Sequence, residues 1–249
     1  GWVVDSFWTE RIPRIARHRG AFDQLFVTDA ELVDTWSAAT GTPTTWLPFG
    51  SDVLDRGSAA THRPVDLQRI GRMPTSWDDD RTVTSRAGAH GLRYAGRTPF
   101  AADPEQNQRG LLQAATQAAF TLAFSNAAAP AEYTHPTREY LTGPWTDSLA
   151  CGAVVAGIAP KCQATRELLW DGALFELESV ELESGLAVIK AARDRWEPAV
   201  PVRNHAMALQ RLDWRHRAKV IAEASGHWTP TLGAELTRLD AAIAETGPG

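Results

Sequence analysis

Short apolar runs alternate with segments of helical periodicity along most of this chain, and that rhythm constrains its fold more than any other feature. A short apolar strand followed by an amphipathic helix buries both elements when the strands line up in parallel and the helices cover the sheet. Residues 1–5 and 23–28 (DQLFVT) read as strands. Thr28-Asp-Ala-Glu31 matches a capping box and predicts a helix over 29–39, closed by Gly41. A third strand over 44–47 is broken by Pro48-Phe-Gly-Ser-Asp52, and residues 52–64, rich in Gly, Ser, Ala and Thr, suit a linker. The rhythm then restarts. Strands are predicted at 65–70, 92–95, 120–124 and 153–156, with a short one at 174–177, and helices at 104–119 and 144–151. From residue 184 the chain reads as helical, in segments 184–196, 203–212, 214–224 and 231–244, with Asp213 capping the third and Gly226 stopping it.

The formal net charge of -5 argues against a broad nucleic-acid-binding surface but leaves room for a pocket that takes one phosphate group. Cys151 and Cys162, the two cysteines, have no metal-type spacing and read as reduced, partly buried thiols. No apolar run is long enough for a transmembrane segment and no basic-then-apolar leader is present, so a cytoplasmic protein is the expectation. The chain opens GWVVDSFW, without an initiator Met and already inside a strand, so an N-terminal portion is expected to be missing. Most of the ten Trp are expected in the core.

Residues 137–157, TREYLTGPWTDSLACGAVVAG, carry the chemistry. Gly143 makes a turn and Pro144 suits the first position of a helix, where its missing N–H is not needed. The N-terminus of that helix presents unpaired N–H groups and the positive end of its dipole, both attractive to phosphate. Two carboxylates flank the turn, Glu139 before the helix and Asp147 one turn inside it. A carboxylate accepts two hydrogen bonds from a vicinal diol, as found on hexoses and on ribose.

Glu139, seven residues, Asp147 and the following Ser-Leu-Ala-Cys-Gly resemble the Glu-x7-Glu region of group-1 glycosyltransferases of the GT-B fold, and are especially similar to the CgeB-like subgroup. In that pattern the first acid contacts the donor sugar and the second the ribose, roles that fall here on Glu139 and Asp147, with Asp departing from Glu at the second position. Gln68-Arg-Ile-Gly-Arg72 resembles the first strand of the family's C-terminal domain, which places Gly71 and Arg72 near the diphosphate. Trp46–Asp52 is similar to the inter-domain crossover, Leu169–Leu177 to the short element after the donor pocket, and Asp213–Arg217 to the tail that crosses back.

The resemblance implies an α/β protein of GT-B type: a partial N-terminal α/β domain with linker over 1–58, a Rossmann-like donor domain with a parallel sheet over 59–200, and C-terminal helices over 201–249. It implies transfer of a sugar from a nucleoside-diphosphate donor to an unidentified acceptor, without metal or other cofactor and with retention of configuration. Glu139 and Arg72 are the candidate catalytic residues; Asp147, Gly143, Thr142, Trp145, Arg138 and Gly71 are the candidate donor-binding residues. A nucleotide-sugar epimerase and a non-catalytic GT-B-like binding domain are the alternatives. The Lys that the family often carries a few residues beyond Gly-Arg is missing from Met73–Trp77, which leaves Arg72, Arg97, Arg138 and Lys161 as substitutes. About fifty residues precede the linker, so much of the acceptor side is expected to be absent. Asp78-Asp-Asp80 reads as an exposed acidic turn rather than a metal site, His205 and His216 as structural or surface residues, and His18, in the basic run Arg14–Arg19, and Asp5 as minor cleft candidates.

Overall fold

The computed structural model describes residues 1–18 and 20–247. Two parallel sheets form, as the alternation predicts. The first joins β1 (Trp2–Val3), β2 (Leu25–Val27) and β3 (Thr44–Trp46) in the order β1-β2-β3. The second joins β4 (Val65–Arg69), β5 (Tyr94–Ala95), β6 (Ala118–Phe124), β7 (Val154–Ile158) and β8 (Leu174–Glu176) in the order β5-β4-β6-β7-β8. The chain moves from β4 outward to β5 and then crosses to β6 on the other side. The order therefore reverses between β4 and β6.

Helices flank the first sheet as α1 (Ile12–Ala16) and α2 (Val33–Thr40), and α3 (Val53–Arg56) lies within the expected linker. Around the second sheet run α4 (Asp80–Ala89), α5 (Pro104–Gln117), α6 (Gly143–Ala150), α7 (Gln163–Leu168) and α8 (Leu182–Arg193). The tail is α9 (Ala199–Arg211), α10 (Trp214–Ser225) and α11 (Pro230–Thr246).

Strand side chains alternate between two faces, and each face has its own cover. Leu67, Phe120, Leu122 and Phe124 pack with Trp77, Val83, Leu186 and Ile189 of the α4 and α8 side. Ala123 and Val155 face Leu149 of α6 and Leu209 of α9. Gly157 makes this pairing possible at the end of β7, where a Cβ would stand 1.7 Å from the Ala123 carbonyl oxygen.

Several expectations are corrected. The capping box does not form: the Thr28 hydroxyl donates to the Val4 carbonyl at 2.8 Å, and Glu31 accepts the Gln163 N–H at 2.6 Å. A tertiary partner outcompetes the local one at each position, and α2 begins after a 3-10 turn at Ala30–Leu32. Of the ten Trp, only Trp36, Trp77 and Trp145 are buried, while Trp2 and Trp228 are exposed. Asp79 is the N-cap of α4, a helix the sequence reading lacks. Helix α9 is held to the second sheet by Asn204, which donates to the Ala153 carbonyl at 3.0 Å.

Two buried arginines fasten the irregular segments. Arg63, at the end of the expected linker, donates to the carbonyls of Ala115, Thr116 and Ala118 and to that of Cys151. It thus neutralises the negative ends of α5 and α6 together, and burial pushes its guanidinium down to about 10. Arg217 of α10 donates to the carbonyls of Pro48, Phe49 and Arg211. Beside it, buried Asp213 accepts the Leu54 N–H at 2.9 Å, and Trp214 meets Trp2 edge-on at 5.8 Å. The tail therefore lies against the crossover and the first sheet.

Candidate functional site

In open parallel sheets the ligand crevice lies beyond the carboxyl ends of the strands where the strand order reverses. Here that point falls between β4 and β6, and a cavity of about 280 Å³ occupies it. Its floor is Ile70, Gly71 and Arg72 after β4 and Ala123 and Phe124 at the end of β6. Thr142, Pro144 and Trp145, at the start of α6, also line it. Pro144 has no N–H and that of Trp145 donates to the Thr142 carbonyl at 3.1 Å, so this end of α6 offers an anion the Gly143 N–H and the helix dipole. Gly71 has φ +84°, a backbone setting open to Gly at little cost, and a Cβ there would stand 3.5 Å from Pro144 Cγ.

Arg72 leans over the ring of Tyr133, 5.3 Å from its centroid, and its charge reaches Tyr140, whose hydroxyl is otherwise pushed up by burial. Tyr133 and Tyr140 complete the cavity. Among the four cations named as substitutes for the missing Lys, Arg72 alone lines this cavity. Arg97 lies instead at the β5 end, where its N–H bonds Asp80 at 2.9 Å.

Glu139 and Arg138 line a second cavity of about 230 Å³, together with Asp29, Glu31, Leu32, Thr137, Lys161 and Cys162. This one sits between the two sheets, since Asp29 follows β2 and Lys161 follows β7. The loop that holds Glu139 is anchored by buried Asn126, whose amide donates to the carbonyls of His135 and Arg138 at 2.8 Å each. Asp29 is buried, with Ser6 bonding both its carboxylate and its N–H, and burial pushes its carboxyl up to about 6.

Asp147 lines neither cavity. One of its oxygens accepts the Ser51 hydroxyl at 2.6 Å and the other the Gln108 amide at 2.8 Å, while burial raises its carboxyl above the usual range. The sequence-predicted site is thus brought together in part: Gly71, Arg72, Thr142 and Trp145 share one cavity, Arg138 and Glu139 the next, and Gly143 stands beside Asp147, a Cβ there being 3.6 Å from its oxygen.

The acidic run has structural partners. Buried Arg69 pairs with Asp78 at 2.5 Å and Asp80 at 2.9 Å, and Asp80 also accepts the Tyr94 hydroxyl at 2.8 Å. Asp5 pairs with Arg11 at 3.0 Å; His205 and His216 bond the carbonyls of Ala150 and Leu209. His18 lines an apolar hollow with Trp2, Phe22 and Leu25; the last residue of its basic run, Arg19, lies outside the described residues. Sequence reasoning missed Tyr133, Tyr140 and Asp29. The first two lay within or next to the segment it singled out, and the third was assigned to a capping box.

No family model and no curated protein matches the chain. Solved structures do. HepE of Anabaena in complex with UDP is 14% identical at a TM-score of 0.53, over 89% of this chain and 69% of that one. Its complex with UDP and glucose gives 14% and 0.52, over 89% and 68%. The pneumococcal O-GlcNAc transferase GtfA in complex with UDP and GlcNAc is 12% identical at 0.53, over 87% of this chain and 47% of that one, so the chain spans about half of its length. Likeness at this identity concerns architecture, and it agrees with the sheets described above: the fold is of the GT-B glycosyltransferase type.

Proposed function

We propose that this chain binds a nucleoside-diphosphate sugar and transfers the sugar to an acceptor. The observation that carries this reading is the cavity at the reversal between β4 and β6, which Gly71 and Arg72 line together with Thr142, Pro144 and Trp145 at the start of α6. A diphosphate there would meet a guanidinium, the Gly143 N–H and the positive end of the α6 dipole, which suit the charge that develops on a leaving nucleotide. That pairing takes the part a divalent cation plays elsewhere, and the one Asp-x-Asp nearby is committed to Arg69. Glu139, whose carboxylate has no bond to a described residue, is free to accept hydroxyls of the transferred sugar. Asp147 would take the ribose diol, sharing its oxygens with Ser51 and Gln108. Retention of configuration and kinship with the CgeB-like subgroup belong to the same reading, on the strength of the sequence resemblance.

Calorimetric titration with UDP, GDP and dTDP, and with their hexose esters, tests it. Asp147→Asn should weaken bare nucleotide and nucleotide sugar alike, whereas Glu139→Gln should weaken only the sugar-bearing ligands, each by about tenfold for a lost charge-assisted bond. Equal effects of Glu139→Gln on both ligands would refute the division of roles.

A further inference from the structure

Asp29 stands at the carboxyl end of β2, the middle strand of the first sheet, and is 8% exposed. Its bonds go to a neutral group: Oδ2 accepts the Ser6 hydroxyl at 2.9 Å, and the same hydroxyl oxygen accepts the Asp29 N–H at 3.0 Å. No described cation forms an ion pair with it, and Oδ1 has no bond to a described residue. A buried carboxylate left this way is costly to a fold. It lines the cavity of about 230 Å³ between the sheets, which Glu139 lines as well.

That cavity is continuous in sequence with the diphosphate cavity. Arg138 and Glu139 line the one, and Tyr140 and Thr142, directly after them, line the other. A ligand with its phosphates against α6 therefore has its next group beside Glu139. The volume is below the ~300–1,000 Å³ of pockets for drug-sized ligands and suits a single polar ring. Resting on the donor reading above, we infer that Asp29 is a sugar-recognition residue: from the first sheet it accepts hydroxyls of the transferred hexose that Glu139 holds from the other side.

The charged and titratable groups around Asp29 are Glu31 before α2, Arg138 and Glu139 on the loop before α6, and Lys161 and Cys162 after β7. Burial raises its carboxyl first and Glu31 adds to this, while the Ser6 bond and the Arg138 charge lower it, leaving it at about 6. Ionised Asp29 is the stronger acceptor, so the affinity gained from the sugar should grow as pH rises through that value.

The experiment compares UDP, GDP and dTDP with UDP-glucose, GDP-mannose and dTDP-glucose by calorimetry, for the wild type and for Asp29→Asn, which keeps an acceptor for Ser6. In the wild type the tightest pair should show a sugar increment that is larger at about pH 8 than at about pH 5. Asp29→Asn should cut that increment about tenfold at the higher pH, abolish its pH dependence, and leave bare nucleotide affinity unchanged. Ser6→Ala should move the midpoint upward, because it removes a bond that favours the ionised form. An increment that survives Asp29→Asn, or a sugar that adds nothing in the wild type, overturns the inference while the nucleotide site stands. Absence of nucleotide binding altogether overturns the donor reading and this one with it.

Discussion

The ring of Tyr140 lies flat on that of Phe7, with centroids 3.9 Å apart and planes 6° from parallel. Tyr140 lines the cavity at the strand-order reversal of the second sheet, and Phe7 belongs to the segment that leaves β1, so one aromatic stack joins the two halves at the candidate site. Trp8 and His135 extend it, 4.9 Å apart. Phe7→Leu keeps an apolar side chain but removes the stack, and should cost about 1 kcal/mol in urea unfolding. Phe7→Ala also opens a void and should cost about 3 kcal/mol.

Asp29 predicts a pH dependence of stability. Its carboxyl is raised from 3.8 to about 6, so the folded state favours the protonated form. The contribution is fully present below the unfolded value and is lost as pH rises through the folded one. Asp29→Asn has no such loss. Its stability relative to the wild type should rise between pH 4 and pH 8 by about 3 kcal/mol at most. Thermal unfolding at the two ends of that range checks this; a constant difference would mean that Asp29 is ionised without penalty.

Arg63 predicts a large effect in a segment that reads as a linker. Arg63→Met strips four carbonyls of their donor, those of Ala115, Ala118 and Cys151 in buried contacts, and leaves the ends of α5 and α6 uncompensated. A loss of about 3 kcal/mol in denaturant unfolding is expected. A change within about 0.5 kcal/mol, as at an exposed site, would contradict that role.

The strands were legible because a parallel strand buried on both faces is an apolar run in sequence, as in Ala118–Phe124 and Val154–Ile158. Helix α4 was not, since its sequence DRTVTSRAGA buries only Val83 and Ala87, too narrow a stripe to stand out. Thr142 and Trp145 were named from a turn before a helix, a local feature, and Gly71 and Arg72 from the resemblance of Gln68–Arg72 to a family strand; the four share one cavity. The placement of Asp147 against Ser51 and Gln108, and of Asp29 in one cavity with Glu139, depends on segments about 40 to 110 residues apart coming together, which periodicity does not encode. Thr28 and Glu31 fitted a local motif and were drawn away by partners 24 and 132 residues distant.

The central claim is that a nucleotide diphosphate sits where the strand order reverses. A crystal structure of the chain soaked with UDP, GDP or dTDP tests it most directly. Density for the two phosphates should lie between the Arg72 guanidinium and the N-terminal end of α6, in the cavity that Gly71 lines. Phosphates bound elsewhere, or an empty cavity at millimolar nucleotide, would contradict it.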